Sequence, residues 1–216
     1  MLHVSPIKNA EWELTVGGNF TWNENKVVSI NSELPRLNIG STIFAVEGLL
    51  FPVIIGTDYL RDPMGRIIVD RKTGYPSADP NTKVLGNTNP KERLGLDLSL
   101  KYKQFRLWAL GEFRGGFVIF QNGGGTYDFS GSSARSVMYN RERFVMPNSS
   151  YEDPAKPGEY IANTNIAVRD GGSDFWTSSA YNTGITSNYI TKGNFWKLRE
   201  VSLTYTVPRR ALQKQK

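Results

Sequence analysis

Cysteine is absent from this chain of 216 residues, and histidine occurs once, at His3. Zinc sites of the Cys/His type, thiol catalysis and a Ser-His-Asp triad therefore lose their key parts. No cofactor or metal site is expected, and the missing thiols carry no information about redox compartment. His3, close to the first residue, reads as a solvated side chain on a frayed end. Long apolar runs are missing too: no stretch approaches the ~20 consecutive residues a spanning helix needs, which excludes a helical membrane protein. Basic runs are scarce although Lys and Arg outnumber Asp and Glu by 26 to 20. The densest cluster, Arg209-Arg210 to Lys216, reads as a solvated turn, so nucleic acid is not an expected partner. The opening Met-Leu-His-Val-Ser-Pro-Ile-Lys lacks the charged segment and apolar core of a signal peptide.

What the chain does have is glycine (21 residues), proline (11) and 12% aromatics, a composition that favours a β-rich, loop-rich fold. The strongest pattern runs from Leu94 to Phe113. Side chains of a strand point alternately to opposite faces, so Leu94, Leu96, Leu98, Leu100 and Tyr102 share one face, with Gly95, Asp97, Ser99 and Lys101 opposite. After Lys103-Gln104 the return strand repeats the pattern, Phe105, Leu107, Ala109, Gly111 and Phe113 against Arg106, Trp108, Leu110, Glu112 and Arg114. Strands of about 9–11 residues cross a bilayer when tilted. Only every second residue of such a strand meets lipid, so 39% hydrophobic content fits an outer-membrane barrel as well as a soluble sandwich.

Two further strands complete the set. Across 11–23, Trp12, Leu14, Val16, Gly18, Phe20 and Trp22 fall on one face, with tryptophans at both ends as interfacial aromatic girdles require. Across 195–207, Val201, Leu203 and Tyr205 share a face while Trp196 and Leu198 are out of phase, which predicts a bulge near Arg199-Glu200. A second short turn is expected at Pro208-Arg209-Arg210.

Between these strands patterning is weak. Leu49 to Ile55 is apolar, but Pro52 confines it to an edge or strand end. Asp62-Pro63-Met64-Gly65 predicts a turn joining roughly 54–61 to 66–70. Asp58, Asp62 and Asp70 do not match a calcium-loop spacing and read as turn and flank residues. Ser133 to Val145 holds a candidate short helix. If the chain is a barrel, Lys103-Gln104 is a periplasmic turn, and 24–93 and 115–193 are long extracellular excursions. An even number of crossings then lies between 23 and 94, and zero is the simplest.

Four stretches occur in order: Asn19-Phe-Thr-Trp-Asn-Glu-Asn-Lys-Val-Val, Arg61-Asp-Pro-Met-Gly-Arg-Ile-Ile-Val-Asp, Val84-Leu-Gly-Asn-Thr-Asn-Pro-Lys with the 94–113 hairpin, and Asn194-Phe-Trp-Lys-Leu-Arg-Glu-Val-Ser-Leu-Thr-Tyr-Thr-Val-Pro208. Together they resemble SusC/RagA-type TonB-linked outer-membrane transporters. In the last, Phe195, Leu198, Val201, Leu203, Tyr205 and Pro208 match the family's pattern, while Trp196 and Lys197 depart from it. The resemblance implies an all-β fold, a partial antiparallel transmembrane β-barrel with long extracellular loops. Residues 1–216 would form an incomplete barrel segment (strands about 11–23, 94–102, 105–114 and 195–207), with signal peptide, plug and final strands outside it. It also implies residence in the cell outer membrane and TonB-dependent import of an oligosaccharide or peptide. A SusD-like lipoprotein, the TonB complex and outer-membrane lipid would be the partners, and no catalytic residue is expected.

Candidate substrate contacts are Trp176, Tyr181, Asn182 and Tyr189, since aromatics and amides can stack on and hydrogen-bond a sugar. Two alternatives stand beside this reading. A secreted or periplasmic carbohydrate-binding β-sandwich explains alternation and aromatics, but not the long weakly patterned loops. A hydrolase using Asp170 and Asp174 is the other, although sequence spacing of carboxylates does not fix their distance in space.

Overall fold

The computed structural model describes residues 1–31 and 34–208. The turn predicted at Pro208-Arg209-Arg210 and the basic tail therefore lie, from Arg209 onward, outside the described residues. The fold is all-β and mainly antiparallel. The described residues divide into two compact units, one of 1–26, 87–118 and 192–208, the other of 27–31, 34–86 and 119–191.

The first unit is built on a five-stranded sheet of β1 (Leu2–Lys8), β2 (Trp12–Trp22), β3 (Glu92–Tyr102), β4 (Phe105–Gly115) and β5 (Phe195–Tyr205). The strands neighbour one another in chain order and every pairing is antiparallel. β2 pairs β3 from Trp12↔Tyr102 to Trp22↔Glu92, so no strand of this sheet intervenes between them, as the loop-length argument expected.

The register brings the apolar residues of all five strands to one face. One row across the sheet is Val4, Val16, Leu98, Ala109 and Val201, and another is Ile7, Leu14, Leu100, Leu107 and Leu203. Trp12, Tyr102, Phe105 and Tyr205 line one end; Phe20, Leu94, Phe113 and Trp196 line the other. Neighbouring rings touch at both ends, with centroids 4.2 Å apart for Trp12–Tyr102 and 5.0 Å for Phe113–Trp196. The predicted bulge is present: the β4–β5 register shifts between Leu198 and Glu200, which returns Leu198 and Trp196 to the apolar face.

β1 corrects the expectation for the first residues. Far from fraying, Leu2–Lys8 pairs with β2 and places His3 opposite Gly17, its Nε2 3.3 Å from Asp97 Oδ1. Alternation is hidden there by a register shift between Val4 and Ile7, at Ser5-Pro6, where proline cannot donate to a ladder.

The second unit shows that the two supposed excursions fold together. Arg36–Gly40, Ile43–Val46, Val53–Gly56 and Lys83–Asn87 make a four-stranded sheet. Ser149–Glu152 lies between Tyr160–Ala162 and Ile67–Ile68 in a three-stranded one. Tyr75, Phe144, Val168, Phe175 and Trp176 form one buried cluster, and Tyr59, Ile67, Val69 and Ile185 a second. The predicted turn is present, the Gly65 amide bonding the Asp62 carbonyl at 2.9 Å, and the short helix is a 3-10 turn at Ala134–Val137.

Candidate functional site

The predicted contact residues Trp176, Tyr181, Asn182 and Tyr189 all fall in the second unit. The local sequence explains how they meet. A short helix, Gly124–Phe129, runs beside Tyr189: a Cβ at Gly124 would lie 2.3 Å from Tyr189 Cδ1, so only glycine permits this approach. The helix delivers Asp128, which is buried.

Asp128 is the hub of the cluster. Its Oδ2 accepts from Asn182 Nδ2 at 3.0 Å and from the Tyr189 hydroxyl at 2.9 Å, and pairs with Arg135 Nη1 at 3.2 Å. Its Oδ1 accepts from the Ser133 hydroxyl at 2.5 Å. Arg135 in turn lies over the rings of Trp176 and Tyr189, 5.8 and 5.4 Å from their centroids. Asn188 extends the network, its Nδ2 donating to the Tyr59 hydroxyl at 2.8 Å, while that hydroxyl donates to the Tyr181 carbonyl at 2.7 Å.

Burial pushes the Tyr59 phenol up to about 12. Burial and then the Asp128 carboxylate beside it also raise Tyr189. Both phenols are therefore protonated near pH 7 and donate the hydrogen bonds described.

The structure brings the four predicted residues close together but turns them inward. Asn182 is fully buried and its amide is spent on Asp128 and the Trp176 carbonyl. Tyr189 is buried, and Tyr181 stacks on Tyr75 at 4.3 Å. Trp176 is buried in the aromatic cluster, yet it borders a cavity of about 330 Å³ whose walls include Arg61, Arg135, Tyr139, Phe175 and Asn188. Its indole Nε1–H is buried with no acceptor among the described residues. Sequence reasoning missed Asp128, Arg135 and Asn188, and no local pattern marks them: Asp128 reaches Asn182 and Tyr189, 54 and 61 positions away, Arg135 reaches the Asn188 carbonyl, 53 away, and Asn188 reaches Tyr59, 129 away.

The other carboxylates that the sequence singled out are engaged by hydrogen bonds and ion pairs, Asp58 and Asp62 partly from distant stretches. Burial alone would raise Asp62, but amide and guanidinium bonds from Arg66 and the Ser150 hydroxyl outweigh it and hold the group below the usual range. Asp58 follows the same balance, burial against hydrogen bonds from Arg61 and Ser187. Asp70 is lowered by the hydroxyl and amide of Thr73. Asp170 accepts from the Gly172 and Asp174 amides, and Asp174 pairs with Arg169 at 3.2 Å.

No protein-family model and no curated protein matches this sequence. Its fold, in contrast, is similar to solved structures. It matches the structure of the RagAB peptide transporter with a TM-score of 0.58 at 13% identity, over 96% of this chain and 22% of that one. It matches the RagAB peptide importer in its open-open state (0.56, 15% identity, 97% and 22%) and its closed-closed state (0.57, 14%, 97% and 22%). The chain thus spans about a fifth of the length of the chains it matches. At such identity the likeness is one of fold, and it extends over both units.

Proposed function

We propose that this chain forms wall and loops of an outer-membrane β-barrel transporter, its apolar sheet face meeting lipid and its polar face lining the lumen. The observation that carries the reading is the uncovered apolar face. Leu96, Leu98, Leu107 and Trp12, which a sandwich would bury between two sheets, are 37–43% exposed. Burying such side chains is worth roughly 1.5–3 kcal/mol each, and a face left open across five strands needs an apolar solvent.

Its dimensions agree. From Trp12 to Trp22 there are ten residue steps, about 33 Å at ~3.3 Å per residue, which at a strand tilt of about 40° rises about 25 Å, the height of the apolar band of such barrels. The length and the aromatic ends together favour lipid over a protein partner for this face. Peptides or glycans are the proposed cargo, imported in a TonB-dependent manner with a SusD-like surface lipoprotein. Support for that comes from the fold shared with the RagAB structures and from the ordered sequence resemblance. No bond-breaking step is assigned; the chain's role is to bind and pass solute.

Single-tryptophan variants in vesicles of brominated phosphatidylcholine test the reading. Trp12 and Trp196 fluorescence should be quenched strongly, with Trp108 on the opposite face and buried Trp176 spared. Equal quenching of Trp108 and Trp12, or none of either, would sink it.

A further inference from the structure

The polar face of the five-stranded sheet carries a hollow of about 750 Å³. Gly95 and Gly111 line it, and Gly17 lies beside it, beneath His3 and Asp97. A Cβ at Gly17 would lie 2.0 Å from the His3 ring and 2.3 Å from Asp97 Oδ1, and one at Gly95 would lie 2.2 Å from Asn19 Oδ1. Without those Cβ atoms His3, Asp97 and Asn19 lie flat over the backbone, and the taller side chains of Arg93, Arg114, Glu112 and Arg199 stand around them.

The charges around this hollow do not cancel. Three guanidiniums face two carboxylates. Asp97 is engaged by His3. Glu112 serves two partners at once, Arg114 on its own strand and Arg199 at the β5 bulge. Arg93 has no carboxylate partner among the described residues, yet it stands directly opposite Arg114 in the β3–β4 register, on the same face of the sheet. Like charges directly opposite on neighbouring strands are destabilising, with Cβ atoms only about 4.5–5.5 Å apart. The arrangement is an incomplete charge set, and one more anion would complete it.

We propose that this hollow is a binding site for a carboxylate group of a solute, held between Arg93 and Arg114. The planar, forked guanidinium matches a carboxylate bidentately, and two of them at cross-strand distance clamp it from both sides. Glu112 is the internal competitor: it occupies Arg114 and Arg199 when the hollow is empty and yields part of that pairing when a carboxylate enters. The shared chemistry is the carboxylate, which an acidic peptide and a uronic-acid oligosaccharide both carry. The site deepens the transport reading by naming the substrate's charge, and rests on that reading only for the route of entry.

Titration calorimetry on the purified chain in a non-ionic detergent at low salt decides it. Acetyl-Glu-Glu-amide is compared with acetyl-Gln-Gln-amide, and digalacturonate with its methyl ester; whichever acid binds identifies the source. The acid should bind at least tenfold more tightly than its neutral counterpart. Arg93→Gln should abolish that preference, Arg93→Lys should keep part of it, and Glu112→Gln should strengthen binding severalfold. Arg93 is exposed, so its replacement leaves sheet packing untouched. Equal affinity for acid and neutral forms of both pairs, or an undiminished preference in Arg93→Gln, overturns the proposal. This measurement asks nothing of lipid or transport, so failure of the quenching experiment leaves it standing.

Discussion

At the residue scale, single carboxylates organise the second unit. Asp128 gathers Ser133, Arg135, Asn182 and Tyr189 from three separate stretches. Its removal takes the partner from the part-exposed Arg135 guanidinium and strands the donors of Asn182 and Tyr189, at about 1–3 kcal/mol for each buried donor left unsatisfied. Asp128→Ala should therefore lower the stability of this unit by about 3 kcal/mol in a urea titration followed by Trp176 fluorescence. The acid limb is set by Asp58, Asp62 and Asp70, all held below the ordinary carboxylate range. A lowered folded value means stabilisation that is complete above the unfolded value of about 3.9 and lost as pH falls below it. Melting temperature should hold down to about pH 4 and then fall, less steeply in Asp62→Asn. On the alkaline side Tyr59 acts in the opposite sense. Its folded value is raised to about 12, so stability is intact below the unfolded value of about 10 and declines as pH climbs from there towards 12.

At the scale of elements, legibility followed regularity. β2, β3 and β4 alternate without interruption and could be read from their residues nearly to their ends; the β5 bulge could be read because Trp196 and Leu198 broke phase with Val201. β1 escaped because Pro6 and the shift between Val4 and Ile7 interrupt the period within seven residues. Apart from the Asp62–Gly65 turn and the short helix at Ala134–Val137, the elements of the second unit escaped for another reason. They are two to six residues long, too short for any period, and their positions are fixed by distant side chains. The four candidate contact residues lie near one another, but the burial of Asn182 and Tyr189 against Asp128 and the stacking of Tyr181 on Tyr75 depend on distant partners that composition does not reveal. The bulge makes a sharp prediction. Arg199 is the extra residue between Leu198↔Gly111 and Glu200↔Leu110, so deleting it should leave the register and the quenching of Trp196 unchanged. Deleting Ser202, which pairs with Trp108 inside the regular ladder, turns one half of β5 to the wrong face and should abolish folding into vesicles.

At the scale of the whole molecule the two faces of the first unit's sheet should obey different rules. Leu98 sits in the central row between the two aromatic ends. Leu98→Arg should cost about 2–4 kcal/mol in the folding equilibrium in phosphatidylcholine vesicles, the cost of arginine at a bilayer midplane. Ser99→Arg, one residue along and on the other face, should stay within about 0.5 kcal/mol. Similar costs at both positions would mean that both faces see the same medium. The pairing of β2 with β3 up to Trp22↔Glu92 carries a different lesson. The chain leaves the sheet after Trp22 and rejoins it directly opposite. It departs again after Gly115, whose neighbour Gly116 is tied by its amide to Asn194 Oδ1 at 3.1 Å, just before β5 resumes. Both exits and returns are thus neighbouring rungs of one sheet, and the two segments between them interlock into a single unit. A graft that spares every rung of the scaffold must therefore carry both segments as one cassette.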